Sequence, residues 1–317
     1  MADNRPVLAL DIGATTMAVG IVDRRGRVVA SDRVPTPSGR RITAEMVWRT
    51  LDGVIDRVVD QYGRRSFAGV GAGCGGVISW PEGTVSPPNI PSWREFPLQD
   101  RLIERFPRAV LRLRGDGVVM AVGEHWRGAG RGVDNLLGIV VSTGVGGGLV
   151  LDGRVVGGAS GNAGHVGHII VDPDGPECTC GGYGCLEAIA AAPALVRWAR
   201  ERQWRATQRR RPSARDLSVD AARGHEVARE ALRRAGAALG TAVASATALC
   251  DLDVVAVGGG VSQAGPLLLE PAEEALRAHA GMEFSRRVRM VPAELGQQAG
   301  LVGAAALVYA ADAYWSG

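Results

Sequence analysis

The chain has 317 residues, 46% of them hydrophobic and 22% charged, which is enough for two domains or lobes and far from a disordered composition. A formal net charge of +3 is too small and dispersed to point to nucleic acid. No secretory signal or apolar stretch of spanning length stands in the sequence, so a cytoplasmic protein with reduced thiols and no membrane or nucleic-acid partner is expected.

In chain order, Val7–Ile12 is an apolar run ending at Asp11 and followed by Gly13-Ala-Thr15-Thr16; Met17–Val22 and a turn at 23–26 complete a β-hairpin pattern. Residues 43–62 carry apolar positions at helical spacing, and Phe67–Gly71 opens another buried strand. Leu136–Val141 reads as a strand, Ser142–Gly148 as a tight loop and Leu149–Leu151 as a returning strand. Residues 226–250 form a long amphipathic helix, 253–260 a strand ending in Gly258-Gly259-Gly260, and 302–311 a closing helix. Strands alternating with helices define an α/β protein. The 45 glycines cluster at 144–148, 157–167, 181–184 and 258–260, as at turns where backbone closely approaches a ligand. The basic run Arg209–Arg211, with Arg202, Arg205 and Arg215 around it, reads as a solvated face.

Three of the five cysteines, Cys178, Cys180 and Cys185, fall within ten residues, and His168 lies ten positions upstream. Three thiolates and one imidazole suit tetrahedral Zn²⁺ and leave no open position for water, which makes the site structural. A disulfide or scattered buried thiols is the competing reading, disfavoured in a reducing compartment.

Gly-His168 followed by Cys-x-Cys-Gly-x-x-Gly-Cys-x-Glu187 resembles the signature of the ROK family of sugar kinases and sugar-responsive repressors. The likeness runs along nearly the whole chain, through Ser86–Trp93 and Ala299–Ala305. The doubled strand–glycine turn–strand unit looks like the two-lobed actin-like ATPase (ribonuclease H-like) fold. On that basis the small lobe spans 1–117, with a helix at about 301–317 packing back on it, and the large lobe spans 118–300 with a zinc loop at 168–187.

Phosphoryl transfer needs donors that cradle phosphate, a divalent cation and a base for the attacking hydroxyl. Gly13, Thr15 and Thr16, and then Thr143, Gly144 and Gly146, supply unhindered backbone N–H groups and hydroxyls for ATP. Asp11 suits Mg²⁺ bound through water. The resemblance assigns Gly258, Gly259 and Gly260 to the adenosine side and Asp116 to the catalytic base; the competing reading of Asp116 is a helix N-cap. It also implies that Gly75, Asn89, Gly115, Asp116, His165, His168 and Glu187 line the sugar site, and that the protein is a homodimer or homotetramer. With no winged-helix segment ahead of the first strand, the kinase branch is the expectation.

The sequence departs from the family pattern at three places. Gly115-Asp-Gly-Val118 replaces Asn-Asp-Ala-Asn, His165 stands where a sugar-binding glutamate is usual, and Thr16 replaces a lysine. Two changed partners for ring hydroxyls imply a changed ligand. The expected reaction is ATP-dependent phosphorylation of the 6-hydroxyl of a modified hexose, an amino sugar such as kanosamine, as in antibiotic-pathway kinases. Glucose and a C7-cyclitol are the alternatives. A non-catalytic sugar sensor is the alternative of another class; Asp11, Asp116 and both glycine loops argue against it, because a sensor needs no base.

Overall fold

The computed structural model describes residues 5–63, 66–206 and 212–315. Arg209–Arg211, read above as a solvated face, lie outside the described residues. The chain forms two compact units: Met1–Asp134, Gly148–Gly164 and Glu294–Gly317 in the first, Asn135–Gly147 and His165–Ala293 in the second. This division differs from 1–117 and 118–300, because residues 118–134, 148–164 and 294–300 join the first unit.

The first unit is built on β1 (Val7–Ile12), β2 (Thr16–Val22), β3 (Val28–Pro35), β4 (Gly69–Cys74) and β7 (Val110–Gly115), ordered β3-β2-β1-β4-β7. The hairpin strands are antiparallel, while β4 runs parallel to both β1 and β7. A small hairpin of β5 (Val77–Ser79) and β6 (Thr84–Ser86) stands apart from this sheet.

Side chains alternate faces along a strand, so Leu8, Leu10 and Ile12 turn one way and Val7, Ala9 and Asp11 the other. The first set packs on α1 (Ala44–Tyr62), which buries Val47, Leu51, Val54, Ile55 and Val58. Thr43 caps this helix by accepting from Met46 N–H at 3.2 Å, and Gly63 ends it in the left-handed region. The second set packs with α3 (Asp116–Arg127) and α9 (Ala299–Tyr309) through Val118, Val119, Val122, Leu301 and Ala304–Leu307. A short α10 (Ala311–Tyr314) follows, so the closing helix starts earlier than sequence periodicity suggested.

Glycines explain how closely these helices lie. A Cβ on Gly71 would meet the carbonyl oxygen of Ala304 at 1.9 Å, and one on Gly73 would meet Val119 Cγ2 at 2.4 Å. The helices also touch each other at Gly303, where a Cβ would fall 1.6 Å from the Val119 carbonyl.

The second sheet orders β10 (Arg154–Val155), β9 (Val145–Leu151), β8 (Leu136–Val141), β11 (Val254–Gly258) and β12 (Arg289–Pro292) as β10-β9-β8-β11-β12. β11 runs parallel to both of its neighbours, β8 and β12, and the chain leaves the second unit within β9. The turn after β8 is shorter than expected: β9 begins at Val145, so Gly146, Gly147 and Gly148 are strand residues. Gly148 is needed there because its Cβ would lie 2.5 Å from the Cα of Val118. The long α7 (Glu226–Cys250) packs on α8 (Pro266–His279) with Gly240 against the Ala272 carbonyl. Among the described residues, no helix is long and apolar enough to cross a membrane.

Glu124 on α3 is fully buried. Its Oε2 accepts from the N–H groups of Ala129 (2.9 Å) and Glu294 (3.0 Å), and its Oε1 from Leu295 N–H (2.9 Å). Removing such an acceptor strands several buried donors at once. Glu124→Ala should therefore lower unfolding free energy by about 3 kcal/mol in urea titration, and Glu124→Gln by less.

Candidate active site

In the first unit the groups singled out by sequence gather at the ends of β1, β4 and β7. The β1–β2 turn closes with Gly13 N–H on the Thr16 carbonyl at 3.0 Å. Thr36 clamps that turn from β3's end, donating its hydroxyl to the Gly13 carbonyl at 2.8 Å and its N–H to the Thr15 carbonyl at 3.0 Å. Thr15 is exposed and Thr16 partly buried, so the turn presents hydroxyls beside its backbone.

Asp11 lies on the α9 face of β1, where Gly300 opens the space for it: a Cβ at Gly300 would fall 2.3 Å from Asp11 Oδ2. Burial pushes the Asp11 carboxyl up to about 7, the charge of Asp116 adds to the rise, and the Arg33 guanidinium opposes it. Arg33 is itself held by Gln297, through the side-chain oxygen and through the main-chain carbonyl at 2.9 Å.

Asp116 is the first residue of α3, with Gly115 before it in the capping position, so it is not the N-cap. Its Oδ1 accepts from Gly117 N–H at 2.8 Å, and its Oδ2 lies 3.2 Å from where a Gly75 Cβ would stand. Gly75 in turn donates its N–H to the Ile12 carbonyl at 3.0 Å, which joins the ends of β1 and β4. Asn89 is exposed on the turn that Ile90 N–H closes onto the Pro87 carbonyl.

In the second unit, the turn Ser142–Gly144 closes with Ser142 N–H on the Gly144 carbonyl at 2.8 Å. The glycine turn after β11 packs against the end of β8: Val261 N–H reaches the Val141 carbonyl at 3.0 Å, and a Cβ at Gly259 would lie 2.3 Å from that oxygen. Gly258, Gly259 and Gly260 are thus brought beside Ser142. Gly167 packs its Cα on the Val145 carbonyl, where a Cβ would fall at 2.0 Å, and this sets the segment that carries exposed His165 and half-buried His168. Their rings are 6.1 Å apart and nearly parallel. Glu187, in α4 (Leu186–Ala190), does not point away from the glycine turn; its Oε2 accepts from Val145 N–H at 2.8 Å.

The cysteine-rich loop is framed by Cys178 N–H on Gly182, Gly184 N–H on Pro176 and Leu186 N–H on Ile169. Gly184 has φ of 64° and sits where a Cβ would overlap the Asp172 carbonyl at 1.5 Å. The ligand atoms of His168, Cys178, Cys180 and Cys185 all lie within 4.8 Å of one another. Cys180 and Cys185 sulfurs are 3.7 Å apart, as are Cys178 Sγ and His168 Nδ1. A tetrahedron with Zn–S bonds of about 2.3 Å has edges near 3.8 Å, so the donors fit zinc by both chemistry and spacing.

Sequence reasoning missed Glu124, Arg33, Gln297, Gly300 and Thr36. Of these only Gly300 carried a signal, as part of the Ala299–Ala305 segment.

The two α/β units, each with a glycine turn after its first strand, define the actin-like ATPase class of fold, and comparison with known proteins narrows it. The ROK family model matches residues 7–311. Glucokinase of Thermotoga maritima is 32% identical over 314 residues, 95% of this chain and 96% of that one. N-acetylmannosamine kinase of Yersinia pestis is 32% identical over 300 residues, covering 94% and 96%. The structure of a ROK family glucokinase from Streptomyces griseus in complex with glucose and AMPPNP matches with a TM-score of 0.83 at 33% identity, over 95% of this chain and 98% of that one. The chain belongs to the ROK family.

Asp11 has a stability consequence with a definite sign. A carboxyl whose folded pKa is raised from 3.8 to about 7 binds its proton more tightly in the folded state, so stability falls as pH rises across that window and levels off above it. Asp11→Asn should therefore melt above wild type at pH 8 and near it at pH 4 in thermal scans. For the cysteine loop, Cys178→Ser and chelated wild type should both lose about one zinc per chain by elemental analysis and melt earlier; unchanged melting after complete metal removal would oppose the structural assignment.

Proposed function

We propose that this chain, an ATP-dependent sugar kinase of the ROK family, transfers the γ-phosphoryl group of ATP to the 6-hydroxyl of a modified hexose, an amino sugar such as kanosamine being the leading case. The observation that carries the chemistry is Asp116 at the start of α3, its Oδ1 engaged by Gly117 N–H and its Oδ2 facing the Cβ-less backbone of Gly75. In the reaction the sugar oxygen bonds to the γ-phosphorus, the bond from that phosphorus to the ADP oxygen breaks, and Asp116 takes the hydroxyl proton. Gly13, Thr15 and Thr16, and Thr143, Gly144 and Gly146, are the proposed phosphate contacts, with Gly258–Gly260 toward adenosine. Asp11 would hold Mg²⁺ through water, and the cation supplies charge neutralisation at the phosphates. Zn²⁺ on His168, Cys178, Cys180 and Cys185 would order the loop that carries His168 and Glu187, and would take no part in the chemistry.

The sugar assignment rests on Gly115 and His165, which change a hydrogen-bonding amide and a carboxylate of the family pattern. Glucose is the second reading, favoured by the several relatives of this chain that are glucokinases. Asp11, Asp116 and both glycine loops argue against a pure sensor, which has no need of a base; the Asp116 charge helps push the Asp11 carboxyl up, a cost that a binding-only protein gains nothing from.

ADP release measured with MgATP and glucose, glucosamine, N-acetylmannosamine, kanosamine and a C7-cyclitol separates the readings. Turnover confined to kanosamine or another amino sugar supports the first, preference for glucose the second, and none with any sugar a sensor. Asp116→Asn should lower kcat by about 10²- to 10⁴-fold while leaving sugar and MgADP affinity near wild type.

A further inference from the structure

Glu187 occupies a place that a sugar ligand alone would not require. It is the second residue of α4, which begins directly after Cys185 and is tied to the cysteine-rich region by Leu186 N–H on the Ile169 carbonyl at 2.9 Å. Two residues past the other end of that short helix the chain reaches the turn after β8, with Ala192 N–H on the Ser142 carbonyl at 2.8 Å. Between these anchors Glu187 Oε2 accepts from Val145 N–H at 2.8 Å, and Oε1 lies 3.4 Å from the Thr179 hydroxyl of the cysteine loop. The carboxylate therefore bridges the loop to the turn. Gly144 is shaped around it, since a Cβ there would fall 2.6 Å from Oε2.

We infer that Glu187 is a positioning residue for the nucleotide side of the site: it fixes the Thr143-Gly144-Val145 backbone in its phosphate-receiving form and couples that form to the cysteine loop. The inference rests on the proposed reading of this turn as a phosphate contact. Two consequences follow from the geometry. Val145 N–H is committed to Glu187, so phosphate contacts from the turn fall to its neighbours. The carboxylate also brings negative charge toward the place proposed for phosphates, so its benefit comes from holding the backbone and not from its charge. An uncharged group that accepts the same hydrogen bond should serve as well or better.

The test is MgADP affinity by titration calorimetry without sugar, which removes any contribution of Glu187 as a sugar ligand. Glu187→Ala should weaken MgADP about tenfold, the order expected for losing a hydrogen bond to a charged group. Glu187→Gln, which can still accept from Val145 N–H, should bind MgADP no more weakly than wild type. Gly144→Ala keeps the carboxylate but drives it off Val145, and should also cost about tenfold. The double variant Gly144→Ala with Glu187→Ala should be no worse than Glu187→Ala alone, because the two changes break one contact. Unchanged or tighter MgADP binding in Glu187→Ala, with a rise only in the KM for sugar, would overturn the proposal, as would additive losses in the double variant. Absence of MgADP binding by the wild-type protein would instead overturn the reading of the turn on which it rests.

Discussion

The structure of the first unit depends on how closely α9 lies on β4. Alternate glycines along the strand allow that approach: the Ala304 carbonyl sits where a Gly71 Cβ would be and Val308 fills the position opposite Gly69, while Gly73 makes the same room for Val119 of α3. The intervening Val70, Ala72 and Cys74 pack into the other core with α1. One strand thus presents a bare backbone to one layer and apolar side chains to the other, which is the period of two turned to an unusual use. The same helix carries Gly300 to the side of Asp11 and leaves the carboxylate poorly solvated beside Asp116. Packing and electrostatics at this site therefore share a cause.

The two sheets repeat a strand plan in which a hairpin precedes parallel strands, and the two orders, β3-β2-β1-β4-β7 and β10-β9-β8-β11-β12, correspond position for position. In each, candidate site groups lie at the end of the first strand and of its parallel neighbour. That is where an open α/β sheet leaves backbone groups unpaired and helix starts converge, so ligand chemistry collects there. Asp116 is placed by the same rule, at the start of the helix that follows β7.

The cysteine loop follows a different logic. Among the described residues its own buried cluster is small, Cys178, Cys185 and Ala188, and Ile170 and Tyr183 are exposed. Backbone hydrogen bonds and tight glycines set its path, and burial together with neighbouring thiols pushes the Cys185 thiol up while the Gly182 N–H draws the Cys180 thiol down. Four donors at ligand spacing would, on binding a metal ion, give such a loop the cross-link that its small core lacks.

The sequence alone determined the α/β class, the strands ending at Ile12 and Val141, the long helix at 226–250 and the clustering of three cysteines with His168, because each is written in local spacing: alternation, helical periodicity, or cysteines within ten residues. The family likeness supplied roles that spacing could not. It could not decide what a glycine was for. Gly146–Gly148 read as a turn but lie in β9, since α3 crosses the strand at Gly148, and nothing local to a glycine tells close packing from a bend. Nor could it show the division into compact units, because residues 118–134, 148–164 and 294–300 are grouped by contacts with distant strands and helices. The tertiary structure alone decided that Glu124 holds residues 294 and 295, that Thr36 clamps the first turn, and that Glu187 meets Val145. Those partners are far apart in the chain and share no pattern in composition or period, so only folding brings the donor to its acceptor.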